Sequence, residues 1–424
     1  MTMRILLLSQ FYPPVVGGIE AHVRGLAHGM AERGHAVAVA TQSVPGLPPF
    51  ESVDGVEIHR LSGALQRIGP LFADERRHAA PVPDPEMSWR LRGLAASFRP
   101  DIVHAHNWLG RSFLPLKRRS GARYVVTLHD CSRLCAQGRL IYRGESLCTL
   151  AYPARCLSCC SRQYGPLKGA LTLAGNAAMR GPEASAADLY IAVSKAVAEA
   201  NGLEGAGVPY AIVPNFASGS SGEEQPPANA GELPREPFIL QVGDVVHDKG
   251  VGVLLQAYAA LTQPPPLVLV GRIGPAAPDP VPPGVSILGP RSPGFVREAW
   301  RRCLFGTIPS LCLDASPTVT LEAMSAGRAV VASERGGLID QVGDGVTGIL
   351  VPPGDAGRLA QAMAKLLADP VLRVKMGNAA RARFEDRFAS DVVLARIEAL
   401  YLSLLSPGGL GDEAGLPSSA TRAC

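Results

Sequence analysis

Short apolar runs, each bounded by Gly, Pro or polar residues, alternate along this chain with segments whose apolar positions recur at helical spacing. "RILLLS" reads as a buried strand and "QFYPPVVGG" as a loop. "IEAHVRGLAHGMAERG" reads as a helix with Ile19, Val23, Leu26, Ala27 and Met30 on one face, closed by Gly34. "HAVAVATQ", "DIVHAHNW", "RYVVTLHD", "LYIAVSKAVAEA" and "YAIVPN" continue the alternation. Continuous apolar strands with helices between them imply a parallel sheet covered on both faces. A first α/β domain is therefore expected over residues 1–216.

The pattern breaks at "ASGSSGEEQPPANAGELPRE", residues 217–236, which is Gly, Ser, Pro and acid without periodicity and reads as a linker or a disordered loop. Alternation restarts with "PFILQVGD", "PLVLVG", "LFGTIPS", "RAVVAS" and "TGILVPPGD", which predicts a second parallel sheet over 237–385. A last amphipathic helix is expected over 386–405 and a disordered tail over 406–424. The fold class is α/β, built as two Rossmann-like domains. The two halves share architecture without a repeat that can be aligned.

Composition narrows the function classes. Hydrophobic residues at 47 % and charged residues at 18 % describe filled globular cores, and no apolar run approaches a membrane span or a signal-peptide core. A cytoplasmic location is the expectation. A net charge of +4 is too small to argue for nucleic acid. Lys117, Arg118, Arg119 and Arg111, with the pair Arg76 and Arg77, could meet acidic headgroups in a peripheral membrane contact, or simply form a solvated face. Only six of the 41 basic residues are lysine, so a lysine in a special place stands out.

Lys249 in "VGDVVHDKG" is such a lysine, at a strand-to-helix turn where a cation repeats the sign of the helix dipole and an anionic ligand would explain it. In "LDASPTVTLEAMSAG", Ser316 and Pro317 read as N-cap and first helical position of a helix from Pro317 to about Ala326. Such a helix N-terminus, at the carboxyl edge of a parallel sheet, suits a phosphate. Glu322, on a face shared with Val319, Ala323 and Ala326, points back toward that mouth, and Asp314 arrives from the preceding loop. Two ionised acids beside an anion site suit the paired donors of a sugar diol. "SERGG", residues 333–337, adds a Gly-rich turn carrying Arg335. No G-x-G-x-x-G follows the first strand, which disfavours a nicotinamide enzyme. His129 ends "RYVVTLHD" at the ligand edge of the first sheet, as a ligand contact or as an ordinary bonded histidine; His104 and His106 read as structural.

Together, "YPPVVGGIEAHVRGLAHGMAERGHAVAVAT", "DIVHAHNW", "TLHD", "AVSKAVAEA", "VPN", "VGDVVHDKGVGVLLQAY" and "SPTVTLEAMSAGRAVVASERGGLIDQVGDGVTGILVPPGD" resemble glycosyltransferase family 4. The resemblance implies the GT-B fold, two Rossmann-like domains facing across a cleft. It implies transfer of a hexose from a nucleotide-sugar donor, with retention and no catalytic cofactor, to a glycan, lipid-linked or small-molecule acceptor. By family likeness His129, Lys249 and Glu322 are catalytic. Gly17, Gly18, Asp314, Ser316, Thr318 and Arg335 join Lys249 and Glu322 around the donor. Two positions depart from the pattern: Asp314 stands where the family has Glu, and Asp244 where it has the arginine that clamps the diphosphate. Arg335 or Arg272 could substitute, or Asp244 could point away. A catalytically weak or inactive member that binds a sugar nucleotide or a partner enzyme is the alternative reading, and an epimerase on the same fold a more distant one.

Six of the nine cysteines fall within residues 131–160. Some family members carry a cysteine-bearing insert at this place, and Cys135, Cys148, Cys156 and Cys159, with Cys131 and Cys160 as possible substitutes, have the spacing of a closed structural zinc site, the alternative being reduced thiols.

Overall fold

The computed structural model describes residues 1–15, 17–67, 79–142, 146–148, 153–205, 207–217, 230–274 and 280–406. The chain forms two compact units. Of the described residues, the first contains those up to 142, those in 148–214 and 393–406; the second contains 146–147 and those in 215–392. The final helix, Ser390–Leu405, thus returns to the first unit, where Tyr401 is fully buried. The expected tail from 407 and the Gly/Ser/Pro segment 218–229 lie outside the described residues. The end of that segment is ordered, however: Ala230–Glu232 forms a 3-10 turn, and Leu233 enters the core with 2 % exposure, because one leucine in a polar stretch has an apolar face within reach.

The first sheet has strands β1 (Arg4–Leu8), β2 (Ala36–Gln42), β3 (Phe50–Val53), β4 (Val56–Leu61), β5 (Ile102–Ala105) and β6 (Arg123–Leu128). A two-stranded hairpin, β7 (Ile141–Tyr142) and β8 (Ser146–Leu147), interrupts before β9 (Leu189–Ala192) and β10 (Tyr210–Ile212) return to the sheet. Its order is β10-β9-β6-β5-β1-β2-β4-β3, parallel except for the β3–β4 edge hairpin. Asp54 and Gly55, both at positive φ, make the tight turn of that hairpin, a polar-outside segment that the search for buried apolar runs passes over.

The second sheet has β11 (Ile239–Val242), β12 (Leu267–Val270), β13 (Val285–Ile287), β14 (Phe305–Ile308), β15 (Val330–Ser333) and β16 (Gly348–Val351) in the order β13-β12-β11-β14-β15-β16, all parallel. Its strands are mostly apolar because both faces are covered. Ile239, Leu267, Leu269, Phe305 and Val331 pack with the helices Val251–Ala259 and Ala356–Ala368. Leu240, Val268, Val270, Val330 and Ala332 pack with the helix Pro293–Arg302. Each fully buried Leu, Ile or Val contributes about 1.5–3 kcal/mol. In both sheets chain order reverses beside the first strand, between β1 and β5 and between β11 and β14, and crevices at such reversals take ligands.

No helix among the described residues is long and apolar enough to cross a membrane. The basic cluster expected near acidic headgroups is partly consumed inside the fold. Arg111 is fully buried, donating to Glu183 and to the Pro81 carbonyl, and Lys117 pairs with Asp188 at 2.9 Å. Arg118 and Arg119 are exposed, and Arg76 and Arg77 lie outside the described residues.

Candidate active site

In the first unit, the helix Gly18–Glu32 and the ends of β5 and β6 bring three imidazoles together. His106 Nδ1 lies 3.0 Å from His129 Nε2, and the His22 ring meets His129 edge-on at 4.7 Å. Burial pushes His22 down to about 4 and drives His106 well below the ordinary histidine range, with His104, His129 and His22 adding to the effect on His106. His22 and His106 are therefore neutral near pH 7. His104 is held between Tyr401 Oη at 2.5 Å and Thr127 Oγ1 at 2.6 Å, a structural role. Gly17 is extended, and a Cβ there would stand 2.1 Å from the Glu20 carboxylate, which folds back over the loop; Gly18 is open.

Among the described residues, His22, His106 and His129 are the one group of three or more metal-ligating side chains whose donor atoms lie within 4.8 Å of one another. Three imidazoles without a carboxylate would suit a borderline transition metal, although the His106–His129 hydrogen bond already engages two of those nitrogens. Cys135, Cys148 and Cys159 lie close enough to Cys156 to add to the effect of burial in raising its thiol, although the described cysteines do not meet as tightly as the three histidines. Cys159 Sγ lies 3.0 Å from Gln137 Oε1 and 3.7 Å from the Ile141 carbonyl, and burial pushes the Cys160 thiol up to about 12, keeping it protonated. In metal-free protein Cys156 and Cys160 are expected to react slowly toward thiol reagents at pH 8 because burial raises both thiols, and zinc analysis of the purified protein tests the expected metal set.

In the second unit, Lys249 and Asp314 meet beside the β11/β14 reversal. Lys249, in a 3-10 turn after β11, is hydrogen-bonded to Asp314 Oδ1 from the loop after β14. Ser310 donates to the other Asp314 oxygen, and Cys312 Sγ approaches at 3.6 Å. Burial alone would lower the Lys249 ammonium, but the Asp314 carboxylate outweighs it and holds the lysine above its usual value. Gly250, at φ 72, brings this turn against β14: a Cβ would stand 1.9 Å from the Pro309 carbonyl oxygen. Gly250→Ala is expected to destabilise by about 2 kcal/mol or more and to displace Lys249, measured by denaturant titration and activity together.

The loop carrying Asp314 is braced from several sides. Gly336 and Gly337 lie so close to it that Cβ atoms would fall 2.4 Å from the Asp314 carbonyl oxygen and 2.1 Å from that of Ala315. The glycines of "SERGG" are thus there for close approach, and Arg335 donates to the Leu311 carbonyl in the same loop. Ser316 is not the N-cap. The helix is Thr318–Ser325, with Pro317 capping it at φ −66 and ψ 125. Ser316 Oγ accepts from the Asn215 backbone N–H and from Gln341 Nε2, so the serine ties the loop down in place of capping. Thr318 opens the helix.

Glu322 does share its face with Val319, Ala323 and Ala326, and that face packs on the cluster containing Trp300. Trp300 Nε1 donates to Glu322 Oε2 at 3.2 Å. Burial raises the Glu322 carboxyl above its usual value; the Trp300 bond and the Arg297 charge partly offset this. Sequence reasoning missed Trp300, whose partner β14 carries Gly306 because a Cβ there would strike the indole at 2.5 Å. The signal available was a glycine inside the apolar run "LFGTIPS".

Asp244 forms a two-point pair with Arg272, at 3.1 and 2.7 Å, both side chains reaching solvent. Arg272 follows β12, so its guanidinium stands beside the loop where the family arginine is missing.

Residues 16–217 match the family described as Glycosyltransferase Family 4, and residues 236–369 match that described as Glycosyl transferases group 1. The chain is a family 4 glycosyltransferase. A glycogen synthase of Mycobacterium tuberculosis is 26 % identical over 95 % of each chain. A D-inositol 3-phosphate glycosyltransferase of an Arthrobacter species is 29 % identical over 86 % of this chain and 85 % of its own. Among solved structures, sucrose-phosphate synthase from Thermosynechococcus elongatus superposes with a TM-score of 0.71 at 23 % identity, covering 95 % and 98 % of the two chains. Anabaena HepE, solved with UDP-glucose, superposes with a TM-score of 0.66 at 18 % identity, covering 95 % of this chain and all of its own. The fold of this family 4 enzyme is GT-B.

Proposed function

We propose that this glycosyltransferase moves a hexose from a nucleotide-sugar donor to a glycan, lipid-linked or small-molecule acceptor, with retention of configuration. The observation that carries the reading is the Lys249–Asp314 pair across the β11/β14 reversal, at the N-terminal end of the helix Thr318–Ser325. A diphosphate seated there gains Lys249 and the unpaired N–H groups of that helix, and both stabilise negative charge on the leaving nucleotide. The donor's phosphate takes over the lysine and frees Asp314, which then accepts from the transferred sugar. Glu322, kept in place by Trp300, accepts from the nucleotide's ribose. His129 contacts the donor sugar, with His106 fixing the direction of its ring, and Gly17 and Gly18 let the loop after β1 approach the ligand.

Arg272 answers the missing arginine: by pairing with Asp244 it cancels a carboxylate that would repel the diphosphate. Arg272→Ala is expected to raise the donor KM about tenfold, because a charge-assisted bond contributes about 1.5–3 kcal/mol and this pair is open to solvent screening. Asp244→Arg should leave donor affinity no better than wild type, since it sets two guanidinium groups side by side. Assays of donor hydrolysis and transfer with UDP-, GDP- and ADP-sugars test the reading; no turnover or binding with any of them would overturn it.

A further inference from the structure

The helices Pro153–Tyr164 and Pro166–Ala186 fold back on each other at Gly165, which sits at φ 83. They cross closely: a Cβ on Gly169 would stand 2.6 Å from the carbonyl carbon of Cys160. Thr172, Asn176 and Glu183 turn inward on the second helix. Its outer side is apolar and uncovered. Leu167 is 70 % exposed and Leu171 54 %, and Ala174, Ala178 and Gly181 are exposed in the same stripe, at spacings of 4, 3, 4 and 3 residues. The stripe is about 21 Å long. Leu157, on the first helix, is 44 % exposed.

Charge is as one-sided as exposure. From Ser146 to Pro182 there is no Asp or Glu, whereas Arg155, Arg162, Lys168 and Arg180 are all basic. Arg180 donates to the Leu134 carbonyl; Arg155, its guanidinium over the Tyr142 ring, and Arg162 are exposed, and Lys168 is half-buried with its ammonium over the Tyr164 ring. An exposed apolar stripe flanked only by cations is the chemistry of a helix lying in a lipid interface, with leucines at the headgroup–acyl boundary and cations among the phosphates.

We propose that this helical hairpin docks the enzyme on an anionic phospholipid bilayer. A second copy of the chain fits the surface poorly, because a two-fold contact would set Arg155, Arg162 and Lys168 against their own duplicates. The proposal is independent of the donor reading: it uses neither Lys249 nor Glu322. It also replaces the buried Arg111 and the paired Lys117 as the contact surface.

The test is co-sedimentation of the full chain with vesicles of phosphatidylcholine alone or with 30 mol%, roughly physiological, phosphatidylglycerol. Wild type is expected to partition onto the anionic vesicles, and less so as salt rises. Leu167→Ser with Leu171→Ser, and separately Arg162→Glu with Lys168→Glu, should each weaken partitioning about tenfold or more while donor hydrolysis in solution stays at the wild-type rate. Equal partitioning onto neutral vesicles, no partitioning of wild type, or unaltered partitioning of both variants would overturn the proposal. So would a wild-type dimer in sedimentation velocity that the leucine variant converts to monomer.

Discussion

Lys249→Ala is expected to lower kcat/KM by about 100- to 1,000-fold, the range for removing one preorganised charge from a developing anion. The same change leaves Asp314 without its cation, and Asp314 is 8 % exposed. Its remaining partners are Ser310 Oγ and the Cys312 thiol, so a stability loss of about 1–3 kcal/mol accompanies the activity loss. The two effects separate in Lys249→Ala/Asp314→Asn, where the amide needs no counter-ion. That double variant should recover most of the stability by denaturant titration and none of the activity. Recovery of activity with stability would mean that Lys249 serves only the fold.

Glu322→Gln is expected to weaken binding of the free nucleotide by about 1–3 kcal/mol, because one oxygen facing a hydroxyl pair becomes an amide donor. Trp300 can still donate to the glutamine carbonyl, so melting should change little. Asp314→Asn should spare the free nucleotide and impair only the sugar nucleotide. The pH dependence carries a second signature. Since burial holds the Glu322 carboxyl above its usual value, its contribution to folding stability is full below about 4.3, the unfolded value, and is lost as pH rises through the folded value. Nucleotide binding requires the carboxylate and runs the other way, weakening as pH falls through the raised folded value. Calorimetry over a falling pH series should therefore show a loss in wild type, setting in above the ordinary glutamate range, that Glu322→Gln lacks.

The two sheets were legible because their strands are buried on both faces and read as continuous apolar runs between Gly and Pro. The β3–β4 hairpin was not, since Phe50–Val53 is an exposed edge strand with no apolar run to announce it. Lys249, Asp314 and Glu322 were legible as types at spacings after strands. Their couplings were not, because they link residues far apart in sequence: Lys249 with Asp314, Trp300 with Glu322, Arg272 with Asp244, Asn215 and Gln341 with Ser316. The contacts of Cys159 with Gln137 and the Ile141 carbonyl were not legible either, because they depend on how the insert folds back on itself. Ser316–Pro317 reads as a cap pair by local rules, yet tertiary partners claim the serine hydroxyl.

The central claim is that Lys249 holds a diphosphate at the β11/β14 reversal. Titration calorimetry with nucleoside diphosphate and monophosphate of the preferred base, on wild type and on Lys249→Ala/Asp314→Asn, tests it most directly. Wild type is expected to prefer the diphosphate by about tenfold or more, and the variant to lose that preference while still binding the monophosphate. An undiminished diphosphate preference in the folded variant would contradict the account.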